Sequence, residues 1–311
     1  MKKAVVAIGV LLAVGLGLLG LGFTPARVAP ADGAGLVIPD FPRVAGVRLA
    51  AIPAGSMSAS QGMAFRGGDP LQTVPFAMGA IYVEHPAGRL LFDTGLGREA
   101  MDHLATTPWL MRASAQLTLP ERTVAEQLRE AGIDTRHNFT VVLTHAHWDH
   151  VSGLADLGEV AVIASPEEVA HIESEAEDSA LARSFLPGVR YIPFNYRHGP
   201  YLGFPASFDV FGDGSVVMVP APGHTPGSTI AFIHTEDGRH YALIGDIAWQ
   251  REGVALPAER PWLVRRMLRE DEAQVRAQLG FLHTLQQRLP ELMVVPAHDA
   301  TVWAQLPRLG G

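Results

Sequence analysis

Short apolar stretches bounded by turn residues run through most of the chain and alternate with segments of helical periodicity. Stretches of this length, rich in Val and Ile, predict strands. The turn sequences Pro86-Ala87-Gly88, Asp213-Gly214 and Asp237-Gly238 separate neighbouring strands, as expected of hairpins. The predicted strands cover residues 47–52, 79–85, 89–93, 139–144, 160–164, 189–194, 208–211, 215–220, 228–234, 240–245 and 291–296.

Helical periodicity marks the segments between these strands. The last helical segment is the longest, and an apolar stripe at helical spacing predicts that it packs on a sheet. The predicted helices cover residues 97–105, 122–131, 166–184 and 262–289, and the stripe consists of Val275, Leu279, Leu282, Leu285 and Leu289. Strands mixed with helices throughout the body predict one α/β domain of layered sheets.

The N-terminus has a different pattern, because Lys2 and Lys3 precede an uncharged apolar run over residues 4–23. Such a start predicts a secretory signal peptide or a membrane anchor, and a run of this length could just span a bilayer. Ala29-Pro30-Ala31 offers a cleavage site, so a cleaved signal and a retained anchor both stay open. In either case we expect the body to be periplasmic or extracellular.

Domain organisation, net charge and cysteine content exclude several classes of protein. Residues 1–23 form the signal or anchor, residues 24–44 a Pro/Ala-rich tether and residues 45–311 the folded domain. The formal net charge of −8 argues against binding to nucleic acid and leaves a small molecule as the expected substrate. Cysteine is absent, which excludes disulfides, thiolate ligands and a cysteine nucleophile.

A histidine cluster directly after the predicted strand 139–144 carries the strongest chemical signal. Residues 144–150 read Thr-His-Ala-His-Trp-Asp-His, which places four imidazole and carboxylate groups within six residues: His145, His147, Asp149 and His150. These groups are ligands for zinc and similar divalent metals. The alternative interpretation, a polar loop that happens to be rich in histidine, explains the pattern less well.

Three further signals follow this cluster, each where a predicted strand ends. His224 lies in a loop of glycines and prolines over residues 222–228, Asp246 follows Gly245, and His298 follows Pro296-Ala297. Strand ends can aim loop residues at one point. The four signals together therefore predict a single metal centre.

This set of motifs resembles the metallo-β-lactamase superfamily over roughly residues 45–305. The resemblance implies an αββα sandwich with two divalent metal ions, zinc being the expected metal. It implies two metal sites, the first held by His145, His147 and His224 and the second by Asp149, His150 and His298. Asp246 would bridge the two ions. Asp149 would also act as the proton shuttle, and Asp93 in Phe92-Asp93-Thr94-Gly95 would orient a ligand.

Within this superfamily the chain looks most like the N-acyl homoserine lactonases. The resemblance implies a metal-bound hydroxide that attacks a carboxylic ester or a lactone. Those lactonases often place a tyrosine three residues after the bridging aspartate, where this chain has Trp249. Lactamases with a cysteine ligand are excluded. Glyoxalase II enzymes append a helical domain, for which we expect no room in the thirteen residues after His298.

Other interpretations stay open at this stage. A thioesterase or a β-lactamase would share the same fold, and a non-catalytic, membrane-tethered metal-binding or sensing module would share the metal site. We expect the remaining histidines to be structural, although His171 and His198 lie in the insertion over residues 151–223, which could shape the mouth of the site. Trp148 is expected to pack in the interior.

Overall fold

The computed structural model describes residues 20–33, 35–105, 107, 109–114, 116–174, 176–185 and 189–310. Most of the predicted signal or anchor, residues 1–19, lies outside this set, so export stays a prediction. Within the described part of the chain, no helix is both long enough and apolar enough to cross a bilayer.

The strands of the described chain form two sheets. The seven-stranded sheet has the order β4-β1-β2-β3-β5-β6-β7, and the five-stranded sheet has the order β12-β11-β10-β9-β8. The first sheet contains β1 (Arg48–Ser60), β2 (Thr73–His85), β3 (Gly88–Phe92), β4 (Gln116–Thr118), β5 (Phe139–Val142), β6 (Ala161–Ala164) and β7 (Tyr191–Pro193). The second contains β8 (Phe208–Asp209), β9 (Val216–Pro220), β10 (Thr229–His234), β11 (His240–Leu243) and β12 (Leu292–Val295).

Helices follow the strands and cover the outer faces of the sheets. In chain order they are α1 (Ala100–Leu104), α2 (Trp109–Ser114), α3 (Val124–Glu130), α4 (Trp148–Val151), α5 (Leu154–Leu157), α6 (Pro166–Glu173), α7 (Arg251–Ala255), α8 (Trp262–Met267), α9 (Glu272–Arg288) and α10 (Ala300–Trp303). A single π-helical turn spans Leu181–Phe185.

Along a strand, successive side chains point alternately into the core between the sheets and into the core under the outer helices. The predicted strands are therefore apolar on both faces. Ile81 of β2 and Ile233 of β10 belong to the core between the sheets. Phe232, the neighbour of Ile233, points the other way and packs with Leu279 and Leu282 of α9. The structure therefore confirms a mixed α/β fold of two face-to-face sheets with helices outside.

Two predicted helices are wrong in extent. The segment predicted over residues 262–289 is broken into α8 and α9, because Arg269 adopts a left-handed φ of 57° and Asp271 starts α9 by capping Gln274 N–H. The segment predicted over residues 166–184 stops at Glu173, where α6 ends. The short strand β4, paired with β1, is not among the predicted strands.

Residues 24–44 are predicted as a tether, and the described part of this range, residues 24–33 and 35–44, contains no helix or strand and lies partly against the domain. The backbone N–H of Ala31 donates to the carbonyl of Gly280 (3.1 Å), and the Thr284 hydroxyl donates to the Ala31 carbonyl (2.8 Å). Gly280 sits inside α9, and a Cβ there would meet the Ala29 carbonyl oxygen at 2.5 Å. This glycine permits the close approach of the segment to the helix.

Candidate metal centre

The predicted metal ligands follow the ends of four strands, on loops and on the short helix α4, which carries Asp149 and His150. The cluster over residues 144–150 follows β5 of the first sheet, whereas His224, Asp246 and His298 follow β9, β11 and β12 of the second. Gly223 shapes the loop before His224: its φ is +139°, and a Cβ there would meet the backbone nitrogen of Val275 at 2.7 Å. Both sheets thus contribute to one site.

Three buried imidazoles form the first group of the centre. The Nε2 atom of His145 lies 3.1 Å from Nδ1 of His147, which lies 2.9 Å from Nε2 of His224. Each ring offers one nitrogen, and these nitrogens all lie within 4.8 Å of one another. Such a trio can bind one divalent ion through nitrogen.

A second group lies beside the first. Asp149, His150 and His298 also offer ligand atoms within 4.8 Å of one another. His298 Nε2 is 3.4 Å from Oδ2 of Asp149. His150 and His298 are buried, whereas Asp149 is partly exposed and faces a cavity.

The carboxylate of Asp246 lies between the two groups. Its Oδ1 atom is 3.1 Å from Nε2 of His298 and 3.3 Å from Nε2 of His150. Its Oδ2 atom is 3.2 Å from Nε2 of His298 and 3.4 Å from Nε2 of His224. The carboxylate therefore contacts both groups. This is the position that a bridging ligand requires.

The donor set fits divalent metal ions. Among the described residues, Nε2 of His150 and Oδ1 of Asp246 are buried without a hydrogen-bond partner, although they lie 3.3 Å apart. Buried polar atoms are normally paired, and a cation between such atoms would satisfy them. The structure brings the seven predicted ligands together, while the assignment of each ligand to an ion stays a prediction.

Protonation differs between the two groups. Burial lowers the pKa of His145 well below its ordinary value and that of His224 to about 4, so both rings are neutral and can accept a cation. Burial also opposes protonation of His150, but the carboxylates of Asp93 and Asp246 outweigh it and raise the pKa of His150. A proton therefore competes with a metal ion at His150.

Asp93 holds the histidine cluster from behind, as the resemblance implies. It adopts a left-handed φ of 57°. Its carboxylate accepts hydrogen bonds from the N–H of Thr144 (2.8 Å), the hydroxyl of Thr144 (2.7 Å) and Nδ1 of His150 (2.8 Å). The donor on Nδ1 leaves Nε2 of His150 free for a metal ion.

Glu270 and Arg260 form a buried pair behind His224 that the sequence analysis missed. Nδ1 of His224 lies 2.7 Å from Oε1 of Glu270, which also accepts a hydrogen bond from Arg260. Glu270 lies in the break between α8 and α9. The polar run Arg269-Glu270-Asp271 is the only sequence signal, and it indicates a helix break rather than a partner of His224.

Glu168, also missed, ties two loops of the centre together. Its buried carboxylate accepts hydrogen bonds from the N–H of Ala146 (2.6 Å), the hydroxyl of Thr225 (2.7 Å) and the N–H of Gly227 (3.1 Å). Burial raises the pKa of Glu168 despite these donors. The glutamate thereby fixes the cluster loop relative to the loop of His224.

Trp249 turns its indole toward the centre. Its Nε1–H donates to Oδ2 of Asp246 (2.7 Å), and the guanidinium of Arg260 lies 4.9 Å from the centre of its ring. The position that is often tyrosine in the lactonases here supports the central carboxylate.

A cavity of about 560 Å³ opens beside the centre, within the size range of small-molecule sites. Asp149, Asp246 and His298 form its floor, and Trp148, which is otherwise buried in the core, also contacts it. The walls are largely apolar and include Met57, Met63, Phe76, Val264, Met267 and Leu268.

The insertion over residues 151–223 contributes Asp178 to the cavity wall, but neither His171 nor His198 lines the cavity. His171 Nε2 is 3.3 Å from Oδ2 of Asp178, which is 3.7 Å from Nε2 of His147. His198 accepts a hydrogen bond from the N–H of Asp209. His171 thus supports the mouth of the cavity through Asp178.

The fold and this centre define the chain as a metal-dependent hydrolase. The family model for the metallo-beta-lactamase superfamily matches residues 79–298, so the chain belongs to that superfamily. The resemblance seen in the sequence is thereby confirmed.

Similar proteins include metallo-hydrolases and lactonases. A probable metallo-hydrolase of Mycobacterium tuberculosis is 29% identical over 247 residues, which cover 73% of this chain and 76% of that protein. The N-acyl homoserine lactonase AttM of Agrobacterium fabrum is 24% identical over 254 residues, covering 78% of this chain and 88% of that protein.

The fold is shared with a solved N-acyl homoserine lactone hydrolase, whose structure has the product N-hexanoyl-L-homoserine bound at the catalytic metal centre. The two chains superpose with a TM-score of 0.62 at 17% identity, covering 85% of this chain and 97% of the other.

Proposed function

We propose that this chain is a dinuclear metal hydrolase that cleaves a carboxylic ester or a lactone carrying an apolar chain. The observation that carries the proposal is the placement of Asp246, whose carboxylate lies within 3.4 Å of imidazole nitrogens of both groups of ligands. His145, His147 and His224 would hold one ion, and Asp149, His150 and His298 the other. When bound, two divalent ions supply Lewis acidity and activate water.

Asp149 is the residue to which we assign proton transfer. Its Oδ2 lies 3.4 Å from Nε2 of His298, and its side chain also lines the cavity, so the carboxylate reaches both the centre and a bound substrate. From there it can hand a proton to the leaving oxygen. Trp249 has no such role, since its N–H is donated to Asp246.

The cavity wall supports a substrate with an apolar chain. Met57, Met63 and Met267 are flexible side chains that adapt to irregular aliphatic shapes. Each methylene buried there would contribute about 0.8 kcal/mol to binding. The lactonase among the relatives is consistent with such a substrate.

The test is hydrolysis by the zinc-loaded full chain on a panel of lactones, carboxylic esters, thioesters and a β-lactam. We expect turnover of the esters or lactones to fall by about 10²–10⁴-fold in Asp149→Asn, because the proton shuttle is lost. His145→Ala should lose turnover together with bound zinc. His283→Ala is the matched control, because His283 lies on α9 and donates to or accepts from groups away from the centre.

Three other outcomes of this hydrolysis test would contradict parts of the proposal. Unchanged hydrolysis in Asp149→Asn and His145→Ala would refute an enzymatic role for the centre. Rapid turnover of the thioester or the β-lactam with inert lactones and esters would refute the substrate class and leave the hydrolase. Full metal binding without turnover of any compound would favour the binding or sensing module.

A further inference from the structure

The segment that leads out of the predicted apolar run is held on the domain. Gly67 N–H donates to the carbonyl of Phe23 (3.1 Å), and Nε of Arg66 donates to the carbonyl of Thr24 (3.1 Å). A few residues on, Val28 N–H donates to the carbonyl of Pro257 (2.7 Å). The chain therefore enters the domain at a fixed place, between the loop of Arg66 and the end of α7.

Four large apolar side chains are exposed on the segments around this place, beside the exposed side chain of Arg27. Leu71 is 92% exposed, Leu21 60%, Trp262 50% and Leu256 37%. Arg66 donates from Nη2 to the carbonyl of Leu21 and from its backbone to that of Glu259, three residues before Trp262, and Leu71 lies five residues after Arg66. Arg27 donates to the carbonyl of Leu256. We call these four apolar residues the entry patch.

The entry patch shares its supporting elements with the wall of the cavity. Met63, which precedes Arg66 by three residues, lines the cavity, as do Val264 and Met267 of α8. Trp262 is the first residue of the same helix. The patch and the cavity are thus two sides of one short stretch of structure.

The chain that precedes the patch indicates what covers it. Residues 4–19 carry no charged side chain, and they join the described chain at Gly20, next to exposed Leu21. Tryptophan is enriched at the interface between bilayer and water, and exposed arginines such as Arg27 and Arg266 attract anionic headgroups. Apolar chain, exposed indole and cations together fit a lipid bilayer.

We propose that residues 4–23 stay attached as an anchor and that the entry patch rests on a lipid bilayer. The cavity then opens close to the membrane. Its substrates would be amphiphiles that partition into lipid by their apolar chains and reach the centre from there. This last step rests on the proposed ester or lactone hydrolysis, whereas the docking of the patch does not.

Brominated lipids test the docking. The full chain is reconstituted into phosphatidylcholine/phosphatidylglycerol vesicles with bromine on the acyl chains, which quenches tryptophans at the interface. Trp262→Phe should lose most of the bromine-dependent quenching, and the control Trp303→Phe, which removes an indole that is buried in the core, should keep it. Equal quenching in both variants, or none in the wild type, would overturn the proposal.

A second copy of the chain is the competing occupant. Because the protein has no cysteine, Leu71→Cys introduces a unique thiol. We expect an environment-sensitive dye on this thiol to report an apolar surrounding only when vesicles are present. Disulfide-linked dimers of Leu71→Cys in place of that signal would overturn docking to a membrane.

Hydrolysis tests the route of the substrate separately. The double variant Leu71→Glu/Trp262→Glu should hydrolyse a long-chain ester in vesicles severalfold more slowly while a short soluble ester is hydrolysed at the wild-type rate. Ile192→Glu on β7 is the matched control. Equal loss on both esters would overturn the route. Inert esters in the wild type would refute the proposed function and leave the quenching result standing.

Discussion

At the scale of single residues, the predicted metal ligands are held in place by side chains that are not themselves ligands. The carboxylate of Asp93 accepts hydrogen bonds from His150 and Thr144, and the carboxylate of Glu270 accepts one from His224. Asp93 follows a recognisable motif and could be predicted. Glu270 could not be predicted, because it is far from His224 in the sequence and contacts it only where the folded chain passes from α8 to α9.

We expect Glu270→Gln to lower the affinity of the first metal site about 10–100-fold. The substitution removes the negative charge beside Nδ1 of His224, and this charge orients the ring and makes Nε2 a better ligand. The variant also leaves the buried guanidinium of Arg260 without its anion, which should destabilise the apoprotein by about 3–5 kcal/mol. Zinc titration against a chromophoric chelator measures the affinity, and urea unfolding of the metal-free protein measures the stability.

Glu177→Gln serves as the control, since Glu177 pairs with Arg269 at the exposed surface. Such pairs contribute at most about 1 kcal/mol. Wild-type zinc affinity in Glu270→Gln would show that the carboxylate does not orient His224.

At the scale of elements, the strands could be predicted because both of their faces are buried. The run Ile230-Ala231-Phe232-Ile233 is uninterruptedly apolar for this reason, and it forms the middle of β10. β4 has only three residues and no apolar run, so its sequence carries no strand signal. The predicted helix 262–289 is interrupted at Arg269, which adopts a left-handed φ. The hydrophobic periodicity of the sequence does not indicate such a residue.

The close approach of residues 29–31 to α9 predicts an effect opposite to the usual one when a helix glycine is replaced by alanine. Alanine normally stabilises a helix interior relative to glycine by about 1 kcal/mol. In the full chain, Gly280→Ala should instead destabilise by about 1–3 kcal/mol, because the new Cβ meets the carbonyl of Ala29. The melting temperature measures this change.

Gln278→Ala on the same helix is the control and should shift stability by less than about 0.5 kcal/mol. A gain in stability for Gly280→Ala would mean that the segment does not lie on α9.

At the scale of the whole molecule, the centre links the two sheets. The ligands come from loops after β5, β9, β11 and β12, so bound ions connect loops of both layers. Ions that bind the native state alone stabilise it by about 4 kcal/mol when their concentration is a thousand times Kd.

We therefore expect chelation to lower the melting temperature by about 8 °C, since each kcal/mol corresponds to about 2 °C in a domain of more than 250 residues. Differential scanning fluorimetry with and without a chelator measures the shift, and added zinc should reverse it. Asp246→Ala removes the carboxylate shared by the two groups and leaves three ligands in each, so the chelator should shift its melting temperature less than that of the wild type. An undiminished chelator effect in that variant would show that Asp246 does not hold the stabilising ion.

The position of Asp246 has a consequence for how the protein acquires its metals. Asp246 raises the pKa of both His150 and His298, so a metal ion held by these histidines would take the place of their protons. It would also fix the carboxylate of Asp246 beside the first group, so we expect half-loaded molecules to be scarce. Metal uptake then behaves as a single switch, set by whether the surroundings supply enough ion to fill both places.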